Sequence, residues 1–243
     1  MTRVLILLAI AVAGAAAYWM TRPFSYETGA PLEARTGPVA LFDGLDRLDT
    51  AALPEGWLHR TFFRVPPTEY DLTESDGSTA LRCRTRGSAS ILARDTRIAL
   101  ADLPILSWRW KVTQPIESDL DEATEEGDDH PLRFYLRFEN EQGETRSAEV
   151  IWSNRKFAPG EYKIIGSFYH YVANGRAENV GRWHDQRLDL RMLYSDIGGT
   201  GTPTLTALGF FCDSDNTGGR SDGLIADIIL SAPAPEKTSG SAN

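Results

Sequence analysis

The sequence predicts an all-β protein, an antiparallel β-sandwich with at most one or two short helices. From residue 39 onward, apolar residues come in short alternating or β-rich runs, separated by turn residues about every 8–12 positions. Only residues 186–197 carry apolar side chains at helical spacing. The chain has 243 residues and no internal repeat, a length that suits one sandwich domain of ~200–250 residues.

The elements follow in order. Residues 4–20 are apolar and uncharged behind Arg3. They read as a signal peptide cut after Ala17, or as an anchor at the short end of the ~17–25 residues needed to span a bilayer. Tyr18-Trp19-Met20 prolongs the apolar run, which favours retention. Either reading places the domain in the periplasm, held at the inner membrane or released. Residues 1–20 are thus a signal or anchor, 21–37 a linker punctuated by proline and glycine, 38–231 the sandwich, and 232–243 a polar tail.

Val39-Ala40-Leu41-Phe42 opens the folded part. Strands are expected near 57–63, 68–73, 79–85, 90–98, 105–112, 132–138, 148–153, 162–172, 205–212 and 223–230. Turn signals such as Ser75-Asp76-Gly77-Ser78 and Glu141-Gln142-Gly143 separate them. The helix is expected over 186–197, ended by Gly198-Gly199.

The net charge is -9, with a pI of about 5.0. That balance repels phosphate backbones and excludes general nucleic-acid binding. Cys83 and Cys212 both fall on apolar faces; two buried thiols are the preferred reading, with a disulfide as the alternative that export would permit. Trp57, Trp152 and Trp183 read as core.

Two strands have sharply divided faces. In Trp108-Arg109-Trp110-Lys111 the indoles share one face and the cations the other. In residues 132–138, Arg133, Tyr135 and Arg137 share the face opposite four apolar side chains. If these strands are neighbours, Arg109, Arg133, Tyr135 and Arg137 make one polar face suited to an anionic or sugar-like ligand. The alternative is a solvated face laced with ion pairs.

Between them, residues 117–129 hold eight carboxylates and no lysine or arginine. Most read as a solvated loop. Glu126-Gly127-Asp128-Asp129 stands apart, because it abuts the next strand and the glycine permits a tight turn. A second polar cluster, Asp213-Ser214-Asp215-Asn216-Thr217-Gly218, directly follows an apolar run. It starts like an EF-hand loop, but Leu224 stands where a bidentate Glu is required. Asp213, Asp215 and Asp227 remain candidate ligands for a different calcium site, with a network of Asx turns as the alternative.

Trp108-Arg109-Trp110-Lys111, Glu126-Gly127-Asp128-Asp129, Asp213-x-Asp215-Asn216-Thr217 and Ala226-Asp227-Ile228 together resemble the bacterial family named domain of unknown function three thousand and forty-seven. Trp183 with Asp185, Arg187 and Asp189 resembles that family's Trp-x-Glu-x-Arg segment, with Asp in place of Glu. The resemblance implies an exported jelly-roll sandwich, galactose-binding-like, similar to carbohydrate-binding modules; it carries no function by itself.

No nucleophile elbow, zinc-protease motif or phosphate loop is present in the sequence. His170 and His184 are candidate bases that read more readily as structural. The leading expectation is non-catalytic binding of a polar, carbohydrate-like ligand through Arg109, Arg133, Tyr135 and Arg137. Asp128, Asp129 and Asn216 would form the rim, and Asp213, Asp215 and Asp227 would hold calcium. The alternatives are a polysaccharide-active lyase or hydrolase, and a structural partner in an envelope assembly.

Overall fold

The computed structural model describes residues 25–43 and 48–234. The signal or anchor segment 1–20 and most of the tail lie outside them. Two sheets face each other across a core.

The larger sheet is built from β1 (Leu32–Ala34), β3 (Trp57–Thr61), β6 (Ser90–Ala99), β8 (Arg133–Glu139), β9 (Thr145–Ser153), β10 (Tyr162–Ile165), β11 (Phe168–Gly175) and β13 (Thr204–Phe211). Its order is β1-β6-β13-β8-β9-β11-β10, with β3 also on β6. The smaller sheet runs β12 (His184–Asp189), β7 (Ile105–Gln114), β14 (Arg220–Ser231), β5 (Ser78–Arg86), β4 (Glu69–Ser75), with β2 (Val39–Ala40) on β14. Pairing is antiparallel except for β1 with β6 and β9 with β11. This is the β-sandwich that the alternation predicts, of the jelly-roll type that the family resemblance implies.

The core is where the apolar faces meet. Trp108 and Trp110 of β7 point inward against Phe134 of β8, and Trp110 stacks on Phe134 at 6.1 Å between ring centres. Trp152 and Phe138 are also fully buried. Gly223 lies opposite Leu132, where a Cβ would overlap the leucine side chain. The two cysteines are joined: Cys83 of β5 and Cys212, just beyond β13, form a disulfide with Cα atoms 6.0 Å apart. That overturns the reading as free thiols. The alternation had placed both on inward faces, and the sandwich brings those faces together.

Three other elements differ from expectation. Residues 162–172 are two strands, because Gly166, at φ +60°, turns the chain into a tight hairpin. The first part of the expected helix is β12, which pairs with β7; the helix α1 begins only at Leu190 and ends at Asp196. Asp189 marks the boundary by accepting the Arg191 N–H, as an N-cap does. The segment expected to be a linker contributes to the fold from Tyr26 on. Tyr26 is buried against Tyr135, Asp95 accepts the Thr28 N–H, and β1 pairs with β6.

Candidate functional site

The segments singled out in the sequence fall into two places, one on the outer face of each sheet. On the larger sheet, Arg133 points away from the core yet is only 3% exposed. Its Nη1 donates to Glu149 Oε2 at 2.7 Å and its Nε to Asp213 Oδ1 at 2.9 Å. Its Nη2 lies 2.9 Å from Asp213 Oδ2 and donates to the Asp128 carbonyl. From β10, buried Lys163 donates to Asp128 Oδ1. Its ammonium has only donors, so His130 Nε2, 2.9 Å away, accepts, and His130 Nδ1–H donates to the Trp152 carbonyl at 3.0 Å. His170 completes the cluster, with Nε2 3.6 Å from Glu149 and 3.7 Å from Asp128.

Loop chemistry brings these groups together. A Cβ at Gly127 would collide with the Asp121 carbonyl, so only glycine lets the acidic loop fold back this closely. Asp129, fully buried, accepts the Thr217 N–H at 2.6 Å and the Asn216 N–H at 3.4 Å. Asn216 Nδ2 donates to the Glu125 carbonyl at 2.7 Å. Glu122, expected to be solvated, is buried and accepts backbone N–H groups from Asn154, Arg155 and Lys156. Backbone dipoles thus neutralise Asp129 and Glu122, while Arg133 and Lys163 neutralise Glu149, Asp213 and Asp128.

Titration follows this geometry. Burial and the neighbouring cations Lys163 and Arg133 hold His130 well below the ordinary imidazole range. Burial lowers His170 and Lys163 too. Burial alone would raise Asp128, but the cations Arg133 and Lys163 override it and hold the carboxyl far below the usual range. Burial pushes Asp213 up, and Asp129 adds to this against the pull of Arg133.

Asp129, Asp213 and Asp215 bring ligand oxygens within 4.8 Å of one another. Asp227 is not among them. A β-bulge in β14, with Asp227 at φ +54°, aims it at Arg109 on the smaller sheet. Asp129 takes its place through the Glu126–Asp129 turn. Asp129 and Asp213 also accept backbone and guanidinium donors, as in the Asx-type network weighed as the alternative to calcium.

On the smaller sheet, Arg109 donates to Asp227 Oδ2 at 2.7 Å and Ser78 Oγ at 2.8 Å, with its guanidinium 5.1 Å from the Trp183 ring centre. Trp183 is half-buried, against expectation, and packs on Ala80, Leu224 and Ala226. Its Nε1 donates to Asp76, which Lys111 also reaches. Asp185 lies opposite Arg109 in the strand register. β7 and β8 belong to different sheets, so Arg109 shares no face with Arg133, Tyr135 and Arg137. Tyr135 is itself stacked between Tyr26 and Phe168.

Sequence reasoning missed Lys163, His130, Glu149 and Glu122. A lysine set between apolar and aromatic residues of a strand, as Lys163 is, was the available signal. His184, whose Nε2 lies 2.8 Å from the Asn179 carbonyl, packs on Trp152 as a structural residue. Two surface clefts, of about 690 and about 590 Å³, border the smaller sheet, and the ionic cluster lines neither.

Fold and site together define a disulfide-tied β-sandwich with one sealed and one open polar face. The chain belongs to the family described as "Protein of unknown function (DUF3047)", whose model matches residues 55–229. Curated proteins give no match. Among solved structures the chain is similar to the N-terminal CBM22-1–CBM22-2 tandem domain of Paenibacillus barcinonensis Xyn10C, at 11% identity and a TM-score of 0.32. The match covers 89% of this chain but only 51% of that one, about half its length. A likeness at that level says nothing of what either chain binds.

Proposed function

We propose that the protein is an exported, non-catalytic binding module for a polar, carbohydrate-like ligand, engaged through the outer face of the smaller sheet. One observation carries the reading. Among the described residues, Trp183 is the hydrophobic side chain that packs on the apolar patch of that face, Ala80, Leu224 and Ala226, and this half-buried indole donates to Asp76 and lies against the Arg109 guanidinium. An aromatic ring with hydrogen-bonding groups around its edge is how a surface holds a sugar, apolar against its C–H face and polar around it.

Two further features support the reading. The acid–base groups of the larger sheet are bonded to one another beneath the surface, which fits bracing better than turnover. The disulfide suits an oxidising compartment, as export would provide. The test is glycan binding by the folded chain and by Trp183→Ala. Binding by the parent that falls at least tenfold in the variant, with an unchanged melting temperature, supports the reading. Full binding by the variant overturns the assignment to this face. Turnover of a polysaccharide that is lost in Asp128→Asn would replace the reading with the enzyme alternative.

A further inference from the structure

The outer face of β5, β7 and β14 carries six cations: Arg82, Arg84, Arg86, Arg109, Lys111 and Arg220. Four of them meet carboxylates: Arg82 with Asp222, Arg84 with Glu69 and Asp71, Arg109 with Asp227, and Lys111 with Asp76. Arg86 and Arg220 meet none among the described residues. They are also register partners, directly opposite each other on β5 and β14. Like charges so placed repel and destabilise a sheet. A chain with net charge -9 has carboxylates to spare, yet none is set against this pair.

The two arginines lie in the cleft of about 590 Å³, whose lining also includes Arg84, Gln114 and two carboxylates, Glu69 and Asp222, which pair with Arg84 and Arg82. Arg84 Nε, on the same face as Arg86, is buried with no hydrogen-bond partner. Two opposed arginines with no carboxylate partner, beside an unused guanidinium N–H, suit an oxyanion, which guanidinium groups bind in a bidentate manner.

We infer that Arg86 and Arg220 form an anion-binding subsite, and that the ligand of this face is an acidic polysaccharide bearing carboxylate or sulfate groups. The inference rests on the proposed binding function and names the ligand class. Six steps along β14 lead from Arg220 to Ala226 beneath Trp183, roughly 20 Å at ~3.3 Å per residue. A chain-like ligand reaches both, with the ring holding one sugar and the arginines the acid group of another. The overall negative charge does not forbid this, because at about 0.1 M salt charges beyond ~10 Å are largely screened.

The experiment compares the parent, Arg86→Gln/Arg220→Gln and the control Arg187→Gln. Arg187 is an exposed cation on the edge strand β12, outside the cleft. Three probes are used: polygalacturonate, dextran sulfate and neutral dextran. The expected result is binding of at least one acidic polymer that weakens with added salt, falls at least tenfold in the double variant and is unchanged in Arg187→Gln. Melting curves confirm that the variants are folded; both substituted side chains are exposed. Equal loss in Arg187→Gln reduces the effect to bulk charge and overturns the inference. So does unchanged binding by the double variant, or failure of the parent to bind either acidic polymer. If the parent then binds a neutral glycan through Trp183, the binding function stands and the anion subsite alone falls. Competition by inorganic sulfate separates the sources. Displacement of the polymer by sulfate at equal charge concentration would mean that the subsite takes a free oxyanion, and would overturn the polysaccharide assignment.

Discussion

Arg109 and Arg133 occupy the same position in near-identical patterns, a cation between two aromatic or aliphatic residues that point into the core. Their fates differ. Arg133 is buried in a network of three carboxylate residues and a carbonyl, whereas the Arg109 side chain remains 30% exposed beside one aspartate and an indole. Alternation fixes which way each side chain points. What lies over it is decided by distant segments. The acidic loop and residues 213–217 fold over Arg133, and Tyr26 covers the neighbouring Tyr135, while nothing comparable crosses the face around Arg109 among the described residues. The contrast separates a face that braces the fold from a face free to bind.

The contrast can be broken by paired substitutions. Arg133→Met removes one partner of a buried ionic network and strands its carboxylates, at a cost of about 3–5 kcal/mol. For a domain of this size that lowers the melting temperature by roughly 6–20 °C. Arg109→Met is expected to cost less than about 1 kcal/mol, as exposed ion pairs do. Equal losses in thermal melting would erase the distinction.

The disulfide gives the next largest effect. It spans 129 positions and abuts Asp213, so Cys83→Ala/Cys212→Ala should cost about 2–4 kcal/mol. Hydrogen exchange should quicken at residues 213–217 more than around Trp183. Uniform quickening would mean that the bond supports both faces alike.

Acid should act through the larger sheet. His130 and His170 titrate below the ordinary value of 6.5, so as pH falls past that value the unfolded chain takes up protons before the folded one does. Stability contributed by the neutral imidazoles is present above about pH 6.5 and is lost below it. Urea midpoints should therefore drop between about pH 7.5 and about pH 5.5, and His170→Phe should flatten the drop. A midpoint that rises over that interval would contradict the assignment.

Calcium gives the smallest expected effect. An ion bound at a hundred times its Kd would add about 2.7 kcal/mol, several degrees of melting temperature. Because Asp129 and Asp213 are already engaged by N–H and guanidinium donors, no displacement between chelator and calcium is expected. A rise would turn the Asp129–Asp213–Asp215 group into a cation site.

The sandwich was legible because period-two alternation in strands such as 105–112 and 132–138 is dictated by burial on one side. The approach of Asp128 and Asp129 to residues 213–217 was legible only as two separate polar segments. Their meeting depends on β8 and β13 being neighbours, and nothing local encodes that. Lys163 and Glu122 escaped because a charged side chain reads as solvated until its partners are placed around it. Asp227 was misplaced because a bulge at a non-glycine residue leaves no clear trace in sequence.

The place of β14 has a consequence for how the chain is made. This last strand lies in the middle of the smaller sheet, and β7 and β5 are joined only through it. Until residues 220–231 arrive, the β12–β7 and β5–β4 pairs each present an open edge, and the smaller sheet cannot close over the core. The smaller sheet therefore commits late, once residues 220–231 have arrived. A truncation before residue 220 should yield aggregate rather than a smaller domain.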